Sequence, residues 1–207
     1  MTEEFQPLSA AAPLIVYFDI KSPYAFVAKD PTYRLADELG IEVDWRPLTL
    51  DIPSYLGSAR LDKRGKVAET NRSPEQWGSV RYAYMDARRY AAAWGYGLRG
   101  TEKIWDTSLV HIGFSWVKQR NSSAVRRFLD LAYPRFWLRD LDVEDIQVVK
   151  SLIEACDLSA EGFGEWASGD GRREHDAQQA QIFVAGIYGV PGYVHNQNYY
   201  FGREHLP

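Results

Sequence analysis

Ser22-Pro23-Tyr24 stands where the apolar run Leu14 to Phe18 gives way to a helical pattern, and it puts a hydroxyl at the junction. A serine there reads as an N-cap, its oxygen accepting from free backbone N–H groups, with proline at the first helical position where no N–H is needed. Free donors and the helix dipole also favour negative charge at that end. Ser22 therefore has two readings, a plain cap or a hydroxyl that holds an anion such as a thiolate. The single cysteine, Cys156, falls on the stripe Ile146, Val149, Ile153, Cys156, which reads as a buried, inert core position. One cysteine also excludes an internal disulfide and a cysteine metal cluster. The histidines His111, His175, His195 and His205 lack ligand spacing, and Glu174-His175-Asp176 cannot converge on one ion from adjacent helical positions, so no metal site is expected. Gly95-Tyr96-Gly97-Leu98-Arg99-Gly100 matches G-x-G-x-x-G, but it follows a helical pattern and no acidic residue stands about twenty positions on. It reads as a helix-stop loop.

The elements that must position Ser22 are a strand, a helix and a second strand. Leu14 to Phe18 is a strand covered on both faces. Pro23 to Leu39 is helical in pattern, with Pro31 inside it expected to kink or restart the helix on Asp30, and Gly40 as the stop. Ile41, Val43 and Trp45 alternate with Glu42, Asp44 and Arg46, a period-two strand that should lie parallel to the first. Residues 47–71 read as a long irregular connection. Helical stripes follow: Tyr82, Asp86, Tyr90 and Trp94, started by Ser73-Pro74; Trp105, Leu109, Ile112 and Trp116; and the Cys156 stripe, started by Asp142. A last helix from about Arg172 to Ile187 turns Ala177, Ala180, Val184 and Ile187 inward. Gly189-Val190-Pro191 then leads into a hairpin of Tyr193-Val194-His195 and Tyr199-Tyr200-Phe201 joined through Asn196-Gln197-Asn198. Pro191 belongs at the strand entrance, and local sequence alone reads its peptide bond as trans. This order is an α/β fold, thioredoxin-like and interrupted by an all-helical insertion: residues 12–50 and 172–207 form the thioredoxin-like domain and 51–171 the insertion.

Composition narrows the function classes. The chain has 207 residues, 45% hydrophobic and 25% charged, with a net charge of −4. Its arginine pairs are scattered among acids, so no nucleic-acid footprint is expected. The acidic start Met1-Thr2-Glu3-Glu4 lacks the basic and apolar regions of a signal peptide, and no stretch has the length of a membrane span, so no membrane partner and a cytoplasmic location are expected. Aromatics concentrate in the insertion. Most serve its core, while some of Trp77, Tyr82 and Tyr84 are placed to wall a pocket for a flat substrate between the two domains.

Tyr17-Phe18-Asp19 with Ser22-Pro23-Tyr24, Trp45-Arg46-Pro47 and the later Gly189-Val190-Pro191 resemble the 2-hydroxychromene-2-carboxylate isomerase family, which is close to kappa-class glutathione transferases and the wider DsbA-like branch of thioredoxin folds. The Cys-x-x-Cys of DsbA-like oxidoreductases is replaced here by Ser22-Pro23-Tyr24-Ala25, which cannot perform dithiol exchange. The resemblance implies glutathione as cofactor, with Ser22 donating to its sulfur, a cis Pro191, and Val190 pairing with the tripeptide as an added strand. It implies that Asn71 lies by the substrate, although Asn71-Arg72-Ser73-Pro74 reads equally as a turn before a helix. Asp86 matches a family aspartate, and Tyr24 joins Trp77, Tyr82 and Asp86 as candidates for the substrate pocket. Two positions depart from the family: a lysine is replaced by Ser79, and Gly-x-Asp-Arg by Gly202-Arg203-Glu204-His205, where Glu204 could take over the aspartate's contact with the γ-glutamyl end. Relatives continue into a closing helix where this chain stops at Leu206-Pro207, and an uncovered sheet face invites a homodimer. The function implied is a glutathione-dependent cis-trans isomerase of an aromatic or conjugated acid. The alternatives are a kappa-like transferase or peroxidase, and a non-catalytic thioredoxin-like binding protein that has lost part of the glutathione site.

Overall fold

The computed structural model describes residues 5–206. β1 (Leu14–Phe18) is buried along its whole length and pairs parallel with β2 (Val43–Pro47), Leu14 opposite Val43 and Phe18 opposite Pro47. On its other side β1 pairs antiparallel with β5 (Gly192–His195), which pairs with β6 (Asn198–Phe201), giving the order β2-β1-β5-β6. The hairpin loop is the two residues Asn196-Gln197, not three, and both have positive φ (49° and 62°), the backbone hand that suits a tight two-residue turn. Asn198 is already paired in β6.

Helix α1 (Pro23–Leu39) is unbroken at Pro31. The expected restart at Asp30 does not occur, because burial of the surrounding turns outweighs one missing backbone donor. Thr32 Oγ1 donates to the Ala28 carbonyl (2.7 Å), and Asp30 accepts instead from the buried Lys29 Nζ (2.8 Å). Gly40, in the left-handed conformation, ends the helix as expected.

The stretch after β2 is not irregular. It holds a short helix α2 (Ile52–Leu56) and a two-stranded hairpin, β3 (Ala59–Leu61) with β4 (Val67–Thr70). All of β4 is exposed, so these strands carry no alternating apolar signal, and the insertion is helical apart from them. α3 (Pro74–Ala93) begins on the expected Ser73, with a full capping box to Gln76. Its buried residues are Val80, Ala87 and Ala91, so the Tyr82-to-Trp94 stripe is not the core face. α4 (Ser108–Arg120) starts beyond Trp105, then come α5 (Val125–Trp137), α6 (Ile146–Glu154) and α7 (Phe163–Ser168). Asp145, not Asp142, caps α6; its carboxylate accepts from Gln147 N and Val148 N. Cys156 lies just past the end of α6 and is buried.

α8 (Asp170–Val184) is turned differently from expectation. Ala177, Ala180 and Val184 face solvent, while Gly171, His175 and Ile182 are buried and Ile187 packs inward beyond the helix end. The buried face is polar because it meets the backbone at the end of β2. Gln179 accepts from Thr49 N (2.8 Å) and donates to the Pro47 carbonyl (3.1 Å). Sheet and insertion otherwise share one apolar core: Phe18 of β1 meets Phe114 of α4 edge-on (centroids 4.8 Å apart), and Phe26 of α1 stacks on Tyr133 of α5 (5.5 Å).

Candidate functional site

Ser22 is the N-cap of α1, with extended backbone, and its Oγ accepts from Ala25 N (3.2 Å). The hydroxyl is 6% exposed and faces the Val190 carbonyl at 3.5 Å, across 168 positions of sequence. The Val190–Pro191 peptide is cis, and Pro191 immediately precedes β5. Strand β1 and strand β5 are neighbours, and this is what carries the two distant segments to one point.

The turn before Ser22 hangs on Asp19, whose side chain is fully buried. Its Oδ1 accepts from Thr107 Oγ1 (2.7 Å) and Lys21 N (3.0 Å), its Oδ2 accepts from Leu50 N (2.8 Å), and Lys21 Nζ stands 3.5 Å from Oδ2. A buried carboxylate is tolerated only when hydrogen-bonded and paired in this way. Lys21 Nζ also donates to Thr107 Oγ1 (3.3 Å), so the insertion clamps both residues.

A second set of bonds reaches the same turn from behind. Ile20 N donates to His111 Nε2 (3.3 Å), Thr49 Oγ1 lies 2.7 Å from His111 Nδ1 and 3.0 Å from His175 Nε2, and His175 Nδ1 lies 3.2 Å from Asp176 Oδ1. One assignment of protons satisfies every pair: His111 protonated at Nδ1 and donating to Thr49, Thr49 donating to His175, and His175 donating to Asp176. Complete burial drives the His111 pKa down to about 3, the Asp19 carboxylate opposing this only in part. His175 is lowered too, chiefly by burial. Both rings are therefore neutral struts.

Beside the turn opens a cavity of about 720 Å³ lined by Lys21, Thr49, Leu50, Asn71, Trp105 and Asp106 among others. It continues into a narrow slot of about 90 Å³ that shares Lys21, Lys103, Ile104 and Trp105 and is walled by Pro23, Val80 and Tyr84. Pro23 is the residue next to Ser22, so the slot adjoins the start of α1.

The sequence candidates are distributed unevenly about this centre. Ser22, Val190 and Pro191 come together. Asn71 lines the cavity, and its Oδ1 accepts from Ser58 N (2.6 Å), so it also closes the β3–β4 hairpin. It approaches so closely that a Cβ on Gly57 would lie 2.8 Å from Oδ1, and Gly57 has a φ of 64°. Tyr24 donates to Asp86 Oδ2 (3.1 Å), joining α1 to α3, and burial followed by that carboxylate raises the phenol pKa. Tyr24 and Asp86 do not line the cavity or the slot, nor do Trp77 and Tyr82; Trp77 packs under Arg72, and Tyr82 is 57% exposed. Of the three aromatic candidates only Tyr84 walls the slot, joined there by Trp105, because the inward side of α3 is offset from the stripe read in the sequence. Glu204 is exposed at the C-terminal 3₁₀ turn, next to Arg203, whose guanidinium lies 3.9 Å over the Tyr90 ring. Among the described residues Ser79 bonds only to its own helix, at the Glu75 carbonyl. Sequence reading passed over Asp19, Lys21, Thr49, Thr107 and His111. Asp19 had a signal, a charged residue set inside a run of core positions.

Among the described residues no group of three or more His, Cys, Asp or Glu is arranged to hold a metal ion, and no helix is long and apolar enough to cross a membrane.

The model of the DSBA-like thioredoxin domain matches residues 13–207 of this chain. A 2-hydroxychromene-2-carboxylate isomerase of Sphingobium xenophagum is 24% identical over 195 residues, 92% of each protein. A solved structure of a 2-hydroxychromene-2-carboxylate isomerase superposes with a TM-score of 0.66 at 17% identity, covering 92% of this chain and 89% of that one. A probable DsbA oxidoreductase of Streptomyces coelicolor superposes with a TM-score of 0.68 at 22% identity, covering 93% and 84%. At these identities the two structures bear on the fold alone.

Proposed function

The chain belongs to the DSBA-like thioredoxin domain family, and from that premise we propose that it is a glutathione-dependent isomerase of the 2-hydroxychromene-2-carboxylate type, acting on an aromatic or conjugated acid. The observation that carries this reading is the start of α1, where a buried hydroxyl takes the place of a thiol, beside the Val190 carbonyl and next to the slot. Disulfide exchange needs an attacking and a resolving thiol. Ser22-Pro23-Tyr24-Ala25 has neither, and Cys156 is buried far along the chain, its thiol pushed up to about 11 by desolvation. The isomerase class is also the one named for the Sphingobium relative.

The residues present fit glutathione. The Ser22 proton is held only by a 3.5 Å contact, at the outer limit of a hydrogen bond, so it can turn to a sulfur while Oγ continues to cap the helix. Arg203, whose Nε has no hydrogen-bond partner among the described residues, and the exposed Glu204 next to it are the charged side chains this reading assigns to the peptide's carboxylate and ammonium. Bound glutathione would supply a thiolate nucleophile. Ser22 and the N-terminus of α1 would lower the thiol pKa by donating to the charged form. The Val190 backbone would hold the tripeptide as an added strand, and the slot would keep water from the reacting acid.

Calorimetric titration of glutathione into wild type and Ser22→Ala tests the reading, together with turnover of an isomerisable chromene acid. Expected are binding in the millimolar range or tighter, weakening of about tenfold or more in Ser22→Ala from loss of a bond to a charged group, and turnover only with glutathione present. No binding at millimolar glutathione would remove the isomerase reading, and unchanged binding in Ser22→Ala would remove the role given to Ser22.

A further inference from the structure

The slot beside α1 has an unusual balance of charge. Lys21, Arg72 and Lys103 reach its lining, and no acid does among the described residues. The rest of the wall is mostly apolar, with Val80, Tyr84 and Trp105 prominent. The wider cavity outside it is mixed, Lys21, Arg60 and Lys103 sharing it with Asp51, Glu69 and Asp106, so a lining with cations and no acid is particular to the slot.

The three cations are not equivalent. Lys103 pairs with Glu144 on the surface and lies over the Trp105 ring. Arg72 has no carboxylate partner among the described residues. Its Nε donates to the Gly57 carbonyl (3.4 Å), its guanidinium lies 5.0 Å from the Trp77 ring centre, and desolvation lowers its pKa. A half-buried guanidinium satisfied by one carbonyl and one ring face retains several free donors. Lys21 is 6% exposed in its side chain. Thr107 and Asp19 engage two of its three ammonium donors, at 3.3 and 3.5 Å, and both contacts are long. Asp19 has three other donors on it, so the ammonium is one of four contacts to that carboxylate and has a donor to spare.

We propose that Lys21 and Arg72 bind the carboxylate of the substrate at the mouth of the slot, with its conjugated body lying along Val80, Tyr84 and Trp105. At about 90 Å³ the slot holds part of a flat ring system, the remainder extending into the outer cavity. Because Lys21 and Pro23 flank Ser22, an acid held by Lys21 has its conjugated body beside the start of α1. Asp19 and Thr107 act as positioning residues, fixing the lysine before the substrate arrives. The assignment rests on the isomerase reading for its choice of a conjugated acid, but the recognition itself involves no glutathione.

The test uses trans-cinnamate and its neutral isostere trans-cinnamamide, titrated without glutathione and followed by calorimetry. Cinnamate should bind wild type, bind Lys21→Met about tenfold or more weakly, and bind Arg72→Met several-fold more weakly, the scale of one charge-assisted bond. Lys21→Arg should retain most of the affinity. Cinnamamide should bind wild type more weakly than cinnamate and change little in the variants. Lys21 contacts the buried Asp19, so thermal melting of each variant is read alongside; Arg72 lies outside that network and reports on the slot even if Lys21→Met unfolds. Equal binding of acid and amide, affinity indifferent to both Met variants, or no cinnamate binding to wild type would overturn the proposal. Loss of cinnamate recognition with intact glutathione binding would count against this assignment alone. Intact cinnamate recognition with no glutathione binding would count against the isomerase reading.

Discussion

Acidification should destabilise this protein through one buried ring, His111. Its pKa is about 3 in the folded chain against an ordinary 6.5, because it is wholly buried, an effect that the Asp19 carboxylate opposes only in part. The folded value is depressed, so below the ordinary pKa the unfolded chain binds a proton that the folded chain refuses. Stability is then full at neutral pH and falls as pH drops through 6.5 toward 3. The slope is about 1.4 kcal/mol per pH unit, giving a loss of roughly 2 kcal/mol at about pH 5 and an upper bound of about 5 kcal/mol near pH 3. Asp19, Lys21, Asp106 and His175 all act on this ring, and carboxylates begin to titrate below about pH 5, so the useful window is between neutral pH and that point. Urea unfolding at several pH values, in wild type and His111→Gln, isolates the effect as a difference. The variant should be less stable at neutral pH, since it loses the imidazole's bonds to Ile20 and Thr49, but its stability should fall less steeply by close to one proton's worth. Parallel curves for the two proteins would refute the argument that His111 is held neutral.

Two further outcomes follow from neighbouring features. Thr49→Val keeps the shape but removes the hydroxyl between the two imidazoles, leaving a donor on His111 and an acceptor on His175 unmatched; a loss of about 2–4 kcal/mol in urea unfolding is expected at one to two unsatisfied buried groups. Cys156 is 3% exposed with its thiol pushed up to about 11, so a thiol-reactive chromophore should not label the native protein over minutes at mildly alkaline pH and should label it fully in denaturant.

The thioredoxin-like half was legible because its signals are local and strong. An all-apolar β1, the Ser22-Pro23 cap, the Gly40 stop and the alternation of β2 each specify their own element without help from the rest of the chain. The hairpin β3–β4 escaped notice because β4 is wholly exposed, and an exposed strand has no apolar phase to detect. Pro31 misled because a helix buried by its neighbours tolerates a missing donor that an isolated helix would not. α8 misled for the opposite reason: its apolar residues Ala177, Ala180 and Val184 are small or solvent-facing, and its buried side is chosen by His175 and Gln179. Of the candidate site, the pair Ser22 and Val190 could be read from two motifs. Asp19 and Lys21 stood in the same stretch, but their roles depend on Thr107, Leu50 and Thr49, which only the folded chain brings there.

That polar seat of α8 sets how the structure responds to temperature. Apolar burial lowers heat capacity and weakens on cooling, whereas polar burial changes heat capacity in the opposite direction. Phe18, Phe26, Phe114 and Tyr133 join sheet to insertion by the first kind of contact; Gln179 and His175 fasten α8 to the end of β2 through the second. On cooling, the aromatic seam is therefore expected to weaken more than the α8 seam. The backbone that carries Thr49 and Leu50, and through them the turn before Ser22, is held by the less cold-sensitive of the two fastenings.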